Sequence, residues 1–172
     1  ACAVGAGAMA ALALLAPFTQ PVEQPPAVFK GLLVPPLLRG LVAWTLAVPL
    51  AVQTGRRKTR AVFAPDPVPA DFPIRAGGAL ALRPAAFLAG SFELGVARRE
   101  MPLLAPRYPE ITVPVAILYG AQDALLDPEL HGARTAAAIP DASLERIDGG
   151  HMLPITHAAE TEAWLRRVLA AA

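Results

Sequence analysis

Residues Val113–Pro128 read VPVAILYGAQDALLDP. Within them Val115 to Gly120 is a continuous apolar run ending in glycine, the pattern of a parallel strand covered on both faces. Asp127-Pro128 then supplies an N-cap and a first helical residue, so the spacing predicts a helix from there to about Ala138. Ala142 to Ile147, ASLERI, alternates well enough for a second strand. After a Gly-Gly-His turn, Ala158 to Ala171 has helical period, with Trp164, Leu165, Val168 and Leu169 on one face. Strand, helix, strand, helix with short connections is the α/β rhythm, and a crossover helix makes the two strands parallel.

Upstream, the texture changes twice. Met9 to Ala16, MAALALLA, is a short apolar run closed by Pro17 and reads as a buried strand. The Ala-Gly-rich residues before it read as a helix end or a turn. From about Thr19 to Pro109, proline-punctuated segments alternate with helical ones: Ala27–Leu33, Leu37–Thr54, Arg57–Phe63 and Pro84–Arg98. No strand-like run interrupts them before Ile111. Three parts follow: residues 1–18, ending in a core strand; 19–109, a helical insertion; and 110–172, the β-α-β-α part.

Composition excludes several classes. Of 172 residues, 55% are hydrophobic and 17% charged, enough apolar material for a core and too little charge for global disorder. Fifteen basic against fourteen acidic side chains, net +1, argue against a nucleic-acid partner; the local cluster Arg56-Arg57-Lys58-Thr59-Arg60 reads as a solvated stretch without an aromatic platform. Cys2 is the only cysteine, which rules out an intrachain disulfide and fits a reducing, cytoplasmic compartment. The most apolar window, Leu32 to Val52, contains Pro35, Pro36, Pro49 and Arg39. Its clean run from Gly40 falls short of the roughly 20 residues of a spanning helix. That argues against a membrane partner.

In open parallel sheets, ligands and reactive groups gather at the carboxyl ends of the strands. Two such ends carry catalytic residue types here: Asp123 just beyond VAILYG, and His151 in IDGGHMLP just beyond ASLERI. They are one β-unit apart, so adjacent parallel strands would bring them side by side. A carboxylate bound to one imidazole nitrogen fixes the tautomer and frees the other nitrogen as a base. Taken alone, Asp123 could cap its loop and His151 could sit satisfied in a tight turn; the acid-then-histidine pairing at two strand ends favours catalysis. His131 and His157 read as surface or packing residues on helices. The three histidines show no metal-ligand spacing.

VPVAILYGAQDALLDP followed by IPDASLERIDGGHMLPITHAAETEAWL resembles the C-terminal third of an α/β-hydrolase-fold enzyme, and ALALLAPFTQP resembles the strand that leads into its lid. The resemblance implies a partial α/β-hydrolase fold with an inserted helical lid. It implies Asp123 and His151 as acid and histidine of a triad, a small apolar substrate such as an ester, lactone or ring-cleavage product, and no cofactor. Phe29, Leu37, Leu38, Trp44, Phe87 and Phe92 are the candidate pocket residues of that lid. The nucleophile elbow G-x-S-x-G of the family has no counterpart: the serines are Ser91 and Ser143, neither in such a context, and Cys2 stands too close to the first strand. The expectation is therefore a hydrolase fragment whose serine lies upstream of residue 1. An upstream aspartate would give a dehalogenase or epoxide hydrolase instead, and a fold that has lost its reaction would be a binding module. The oligomeric state is left open.

Overall fold

The computed structural model describes residues 10–171. Three parallel strands, β1 (Leu12–Leu15), β2 (Val115–Gly120) and β3 (Ala142–Ile147), form one sheet in the order β1-β2-β3. Leu12 pairs with Val115, and Val115 with Ala142, so all three strands start level. β1 is shorter than the apolar run suggested, and Met9 and Cys2 lie outside the described residues.

The central strand explains its own composition. Val115, Ile117 and Tyr119 point to one side, where they pack with Ala16, Leu126 and Ile139. Leu118 points to the other, against Leu153 and Trp164. With both faces covered there is no polar alternation to read. The helix predicted from Asp127-Pro128 runs as Pro128–Ala133 and Arg134–Ala138, and the Asp127 carboxylate accepts the Glu129 N–H at 2.9 Å as its N-cap. Beyond β3 come Leu153–Thr156 and Ala158–Ala171. Trp164, Leu165 and Val168 of the last helix meet the sheet, but Leu169 is 76% exposed, so its buried face is narrower than the sequence suggested.

The segment after β1 is tied to the Pro128–Ala138 helices by polar groups. Tyr119 and Tyr108 donate their hydroxyls to the carbonyls of Pro17 and Thr19. His131, expected at the surface or in packing, is buried: its Nδ1 accepts the N–H groups of Thr19 (3.2 Å) and Gln20 (3.1 Å). Two donors on Nδ1 require the neutral Nε2–H tautomer, and burial pushes this histidine's pKa down. Thr19 Oγ1 and Gln20 Nε2 both reach Thr135 Oγ1, which completes the cluster.

Between β1 and β2 lies the helical insertion, and here the sequence reading needs correction. The segments expected to be separate, Leu37–Thr54 and Arg57–Phe63, are one rod, Pro36–Phe63, of 28 residues. Its prolines do not break it, for positional reasons. Pro35 and Pro36 stand at the N-cap and first turn, where no N–H is missed. Pro49 follows a π-helical turn, Ala43–Ala47, whose wider winding gives its ring room against the preceding turn. The rod is long and apolar enough to cross a bilayer by length and composition, so the length argument against a membrane fails. Ala43, Ala47 and Phe63 are buried; Leu37, Leu41 and Trp44, at helical spacing, face outward. A second helix, Pro84–Leu104, continues past the expected end at Arg98.

Candidate active site

The turn after β2 is built around Asp123. Its backbone N–H returns to the Gly120 carbonyl at 3.1 Å. Its Oδ1 accepts the N–H groups of Leu125 (2.8 Å) and Leu126 (3.0 Å). The remaining oxygen, Oδ2, lies 2.8 Å from His151 Nδ1. The Asp123 side chain is fully buried while His151 keeps 19% of its side chain exposed. A buried carboxylate accepting three hydrogen bonds is fully satisfied. As an acceptor it obliges His151 Nδ1 to donate, so Nε2 carries the lone pair. Nε2 has no hydrogen-bond partner among the described residues.

The pair is held by contacts between the two strand-end loops. Ala121 N donates to Ile147 O at 2.8 Å, and Gln122 N to Gly149 O at 3.0 Å. The Gln122 amide donates to Asp148 Oδ1 at 2.8 Å. The Gly-Gly pair has two separate causes. Gly149 has φ +147°, and a Cβ there would lie 2.6 Å from the His157 ring. Gly150 has ordinary dihedrals but passes under the end of the rod, where a Cβ would lie 2.5 Å from Ala64 O. Gly120 is pressed in turn by the same loop: its Cβ would meet Gly150 O at 2.1 Å.

The aromatic residues singled out from sequence are not gathered in one place. Phe29 and Phe87 line a cavity of about 1010 Å³ within the insertion, together with Val48, Phe72, Leu82 and Asp66. Trp44 and Phe92 lie outside it, 76% and 59% exposed, each turned about a quarter of a turn away from the buried residue before it, Ala43 and Ser91. Leu37, 96% exposed, and Leu38 are also outside. Neither Asp123 nor His151 lines this cavity. Ser91 is buried and donates to Leu32 O at 2.6 Å, so its hydroxyl is engaged; Ser143 lies on β3. Among the described residues no cluster of three or more His, Cys, Asp or Glu is placed to hold a metal ion.

Asp66 escaped the sequence reading. It accepts the Gly150 N–H at 2.9 Å and lies beside Thr156 and His157. The only local signal is an acid locked between Pro65 and Pro67, and its partners are more than 80 residues away in sequence.

Three parallel strands with an acid and a histidine at adjacent carboxyl ends, and a helical block inserted before the second strand, define part of an α/β-hydrolase fold. Solved structures bear this out. An esterase from Thermogutta terrifontis is 18% identical with a TM-score of 0.63, matching 94% of this chain and 56% of its own. A bacterial membrane phospholipase A is 25% identical with a TM-score of 0.59, over 94% of this chain and 49% of its own. A bromoperoxidase from Bacillus anthracis is 22% identical with a TM-score of 0.54, over 78% and 48%. The chain thus spans about half the length of the structures it matches. No protein-family model and no curated protein sequence matches it.

Proposed function

We propose that this chain carries the acid–base part of a serine hydrolase for small apolar esters or lactones, with Asp123 and His151 as two members of the triad. The observation that carries the reading is the 2.8 Å contact from His151 Nδ1 to a buried, otherwise satisfied carboxylate, with Nε2 left free. A serine hydroxyl from a segment preceding this sequence would give its proton to Nε2 as its oxygen attacks the ester carbonyl. The imidazolium so formed, stabilised by Asp123, returns that proton to the departing alkoxide. Water then repeats the cycle on the acyl-enzyme. The helical insertion serves as lid, and Phe29 and Phe87 line the cavity offered to an apolar acyl or alcohol group. No cofactor or nucleic acid enters this scheme, a membrane partner is not needed for it, and a cytoplasmic setting goes with the single cysteine.

The test is ester hydrolysis by the chain extended through its upstream in-frame coding sequence. His151→Ala and Asp123→Asn are each expected to lower p-nitrophenyl ester turnover by about 10³–10⁴-fold. Turnover that survives His151→Ala refutes the assignment. An aspartate in place of the upstream serine would redirect it to dehalogenase or epoxide-hydrolase chemistry. A second reading, a hydrolase-like binding module, is favoured by an apolar-lined cavity of about 1010 Å³ to which neither His151 nor Asp123 contributes. It predicts apolar ligand binding that His151→Ala leaves unchanged and no turnover in the extended chain.

A further inference from the structure

Asp66 stands three residues beyond the end of the Pro36–Phe63 rod, with only 15% of its side chain exposed. Its Oδ2 accepts the Gly150 N–H at 2.9 Å and lies 3.1 Å from Thr156 Oγ1. His157 Nδ1 lies 3.7 Å from the same oxygen and 2.9 Å from Thr156 Oγ1. A consistent proton assignment has His157 Nδ1–H donating to the Thr156 hydroxyl, whose own proton is shared between Asp66 Oδ2 and Met152 O, both at 3.1 Å, while Asp66 Oδ2 also receives Gly150 N–H. A partly desolvated carboxylate is thus aimed at the Gly149–Gly150 peptide group, one residue ahead of His151. Below it, Gly150 is held within van der Waals reach of the Ala64 and Phe63 carbonyls, a gap that admits no side chain.

We infer that Asp66 is a positioning residue: by fixing the Gly150 peptide it sets the direction in which His151 Nδ1 meets Asp123, and so makes that geometry depend on how the rod is seated. This rests on the reading of Asp123 and His151 as a working pair. Three features support a role beyond local stapling. The acceptor belongs to the insertion, while its donors belong to the loop after β3 and the short helix that follows. The bond is charge-assisted and sheltered from water, hence stiff. It acts one residue from the imidazole, where a small rotation of the peptide swings the ring away from an acceptor fixed on another loop.

The experiment is the tautomer of His151 in the isotope-labelled chain, read from its imidazole nitrogen shifts at alkaline pH. A histidine donating from Nδ1 is held in the Nδ1–H form, whereas a free imidazole favours Nε2–H. The parent chain is expected to show Nδ1–H as the major form, and Asp66→Ala to lose it in favour of Nε2–H. Asp66→Asn, which keeps an oxygen for the Gly150 N–H, is expected to retain it. Nδ1–H persisting as the major form in folded Asp66→Ala overturns the inference and leaves the pair standing. A loss as severe in Asp66→Asn overturns the hydrogen bond as its cause. Nε2–H as the major form already in the parent overturns the pair, and the positioning role with it. Should Asp66→Ala fail to fold, amide exchange in the parent decides: a Gly150 N–H that exchanges as fast as an open-loop amide overturns the inference.

Discussion

Replacing Gly120 by alanine tests the packing that brings the two strand-end loops together. A Cβ at Gly120 would lie 2.1 Å from Gly150 O and 2.4 Å from Gly149 O. An ordinary carbon–oxygen contact is about 3.3 Å, so the loop would have to withdraw by roughly 1.2 Å. The obstructing atoms are backbone carbonyls, one of them, on Gly149, already bonded to Gln122 N, so no flexible side chain can absorb the shift. Overpacking of this kind costs about 1–3 kcal/mol, and a backbone obstruction belongs at the upper end, near 3 kcal/mol. For a chain of this size that corresponds to a fall of about 6–12 °C in Tm. His151 rides on the same loop. A comparable displacement carries Nδ1 from 2.8 Å out of hydrogen-bonding range of Asp123. The assay is urea denaturation followed by circular dichroism, with Gly55→Ala as the internal control. Gly55 sits in the rod with no atom within 4 Å of its would-be Cβ, so that variant should gain about 0.5–1 kcal/mol. If Gly120→Ala unfolds at the parent midpoint, the tight apposition of the two loops is wrong.

Other perturbations probe other parts of the fold. Burial lowers the pKa of His131, so its contribution to stability is present above its unfolded value of about 6.5 and is lost as pH falls through the lower folded value. The urea midpoint should therefore drop from pH 7 to pH 5 more steeply in the parent than in His131→Gln; equal slopes would clear His131 of this role. Thr161 Oγ1 is buried without a partner among the described residues, so Thr161→Val should be neutral or stabilising by up to about 1 kcal/mol by thermal melting. Asp127→Ala removes the N-cap acceptor for Glu129 N and should cost about 1 kcal/mol in the same melt; no change would mean that the cap is replaced by water.

Much of the site was legible because its determinants are local. VAILYG advertises a strand buried on both faces, and a glycine or turn at its end marks where a polar residue emerges. That logic located Asp123 and His151, and their spacing of one β-unit placed them on neighbouring strands. The Gly-Gly pair was equally legible as an anomaly, although its two glycines serve different ends, one a backbone dihedral and the other clearance under a carbonyl. Asp66 and Gln122 could not be read, since each matters only through a partner on another element. The aromatic residues failed for a related reason. Trp44 and Phe92 are apolar, but which side of a helix is covered depends on what packs against it, and here the covered positions are the small residues Ala43 and Ser91. The proline-broken lid failed because a proline is disruptive only where its missing N–H or its ring meets a regular helical turn. At the N-cap and after a π-turn it meets neither.

The sequence by itself determined the periodic elements: three strands, the helices that cross between them, and the chemistry at two strand ends. These follow from short-range preferences and from the need of each apolar run to be covered. Tertiary structure alone decided what those elements meet. It closed the 2.8 Å contact between His151 and Asp123, turned His131 inward to receive two backbone N–H groups, and seated the end of the rod on the histidine turn through Asp66. Each of these joins groups 28 to more than 100 residues apart. Their geometry is set by the stacking of whole elements to interior density, which no local pattern encodes.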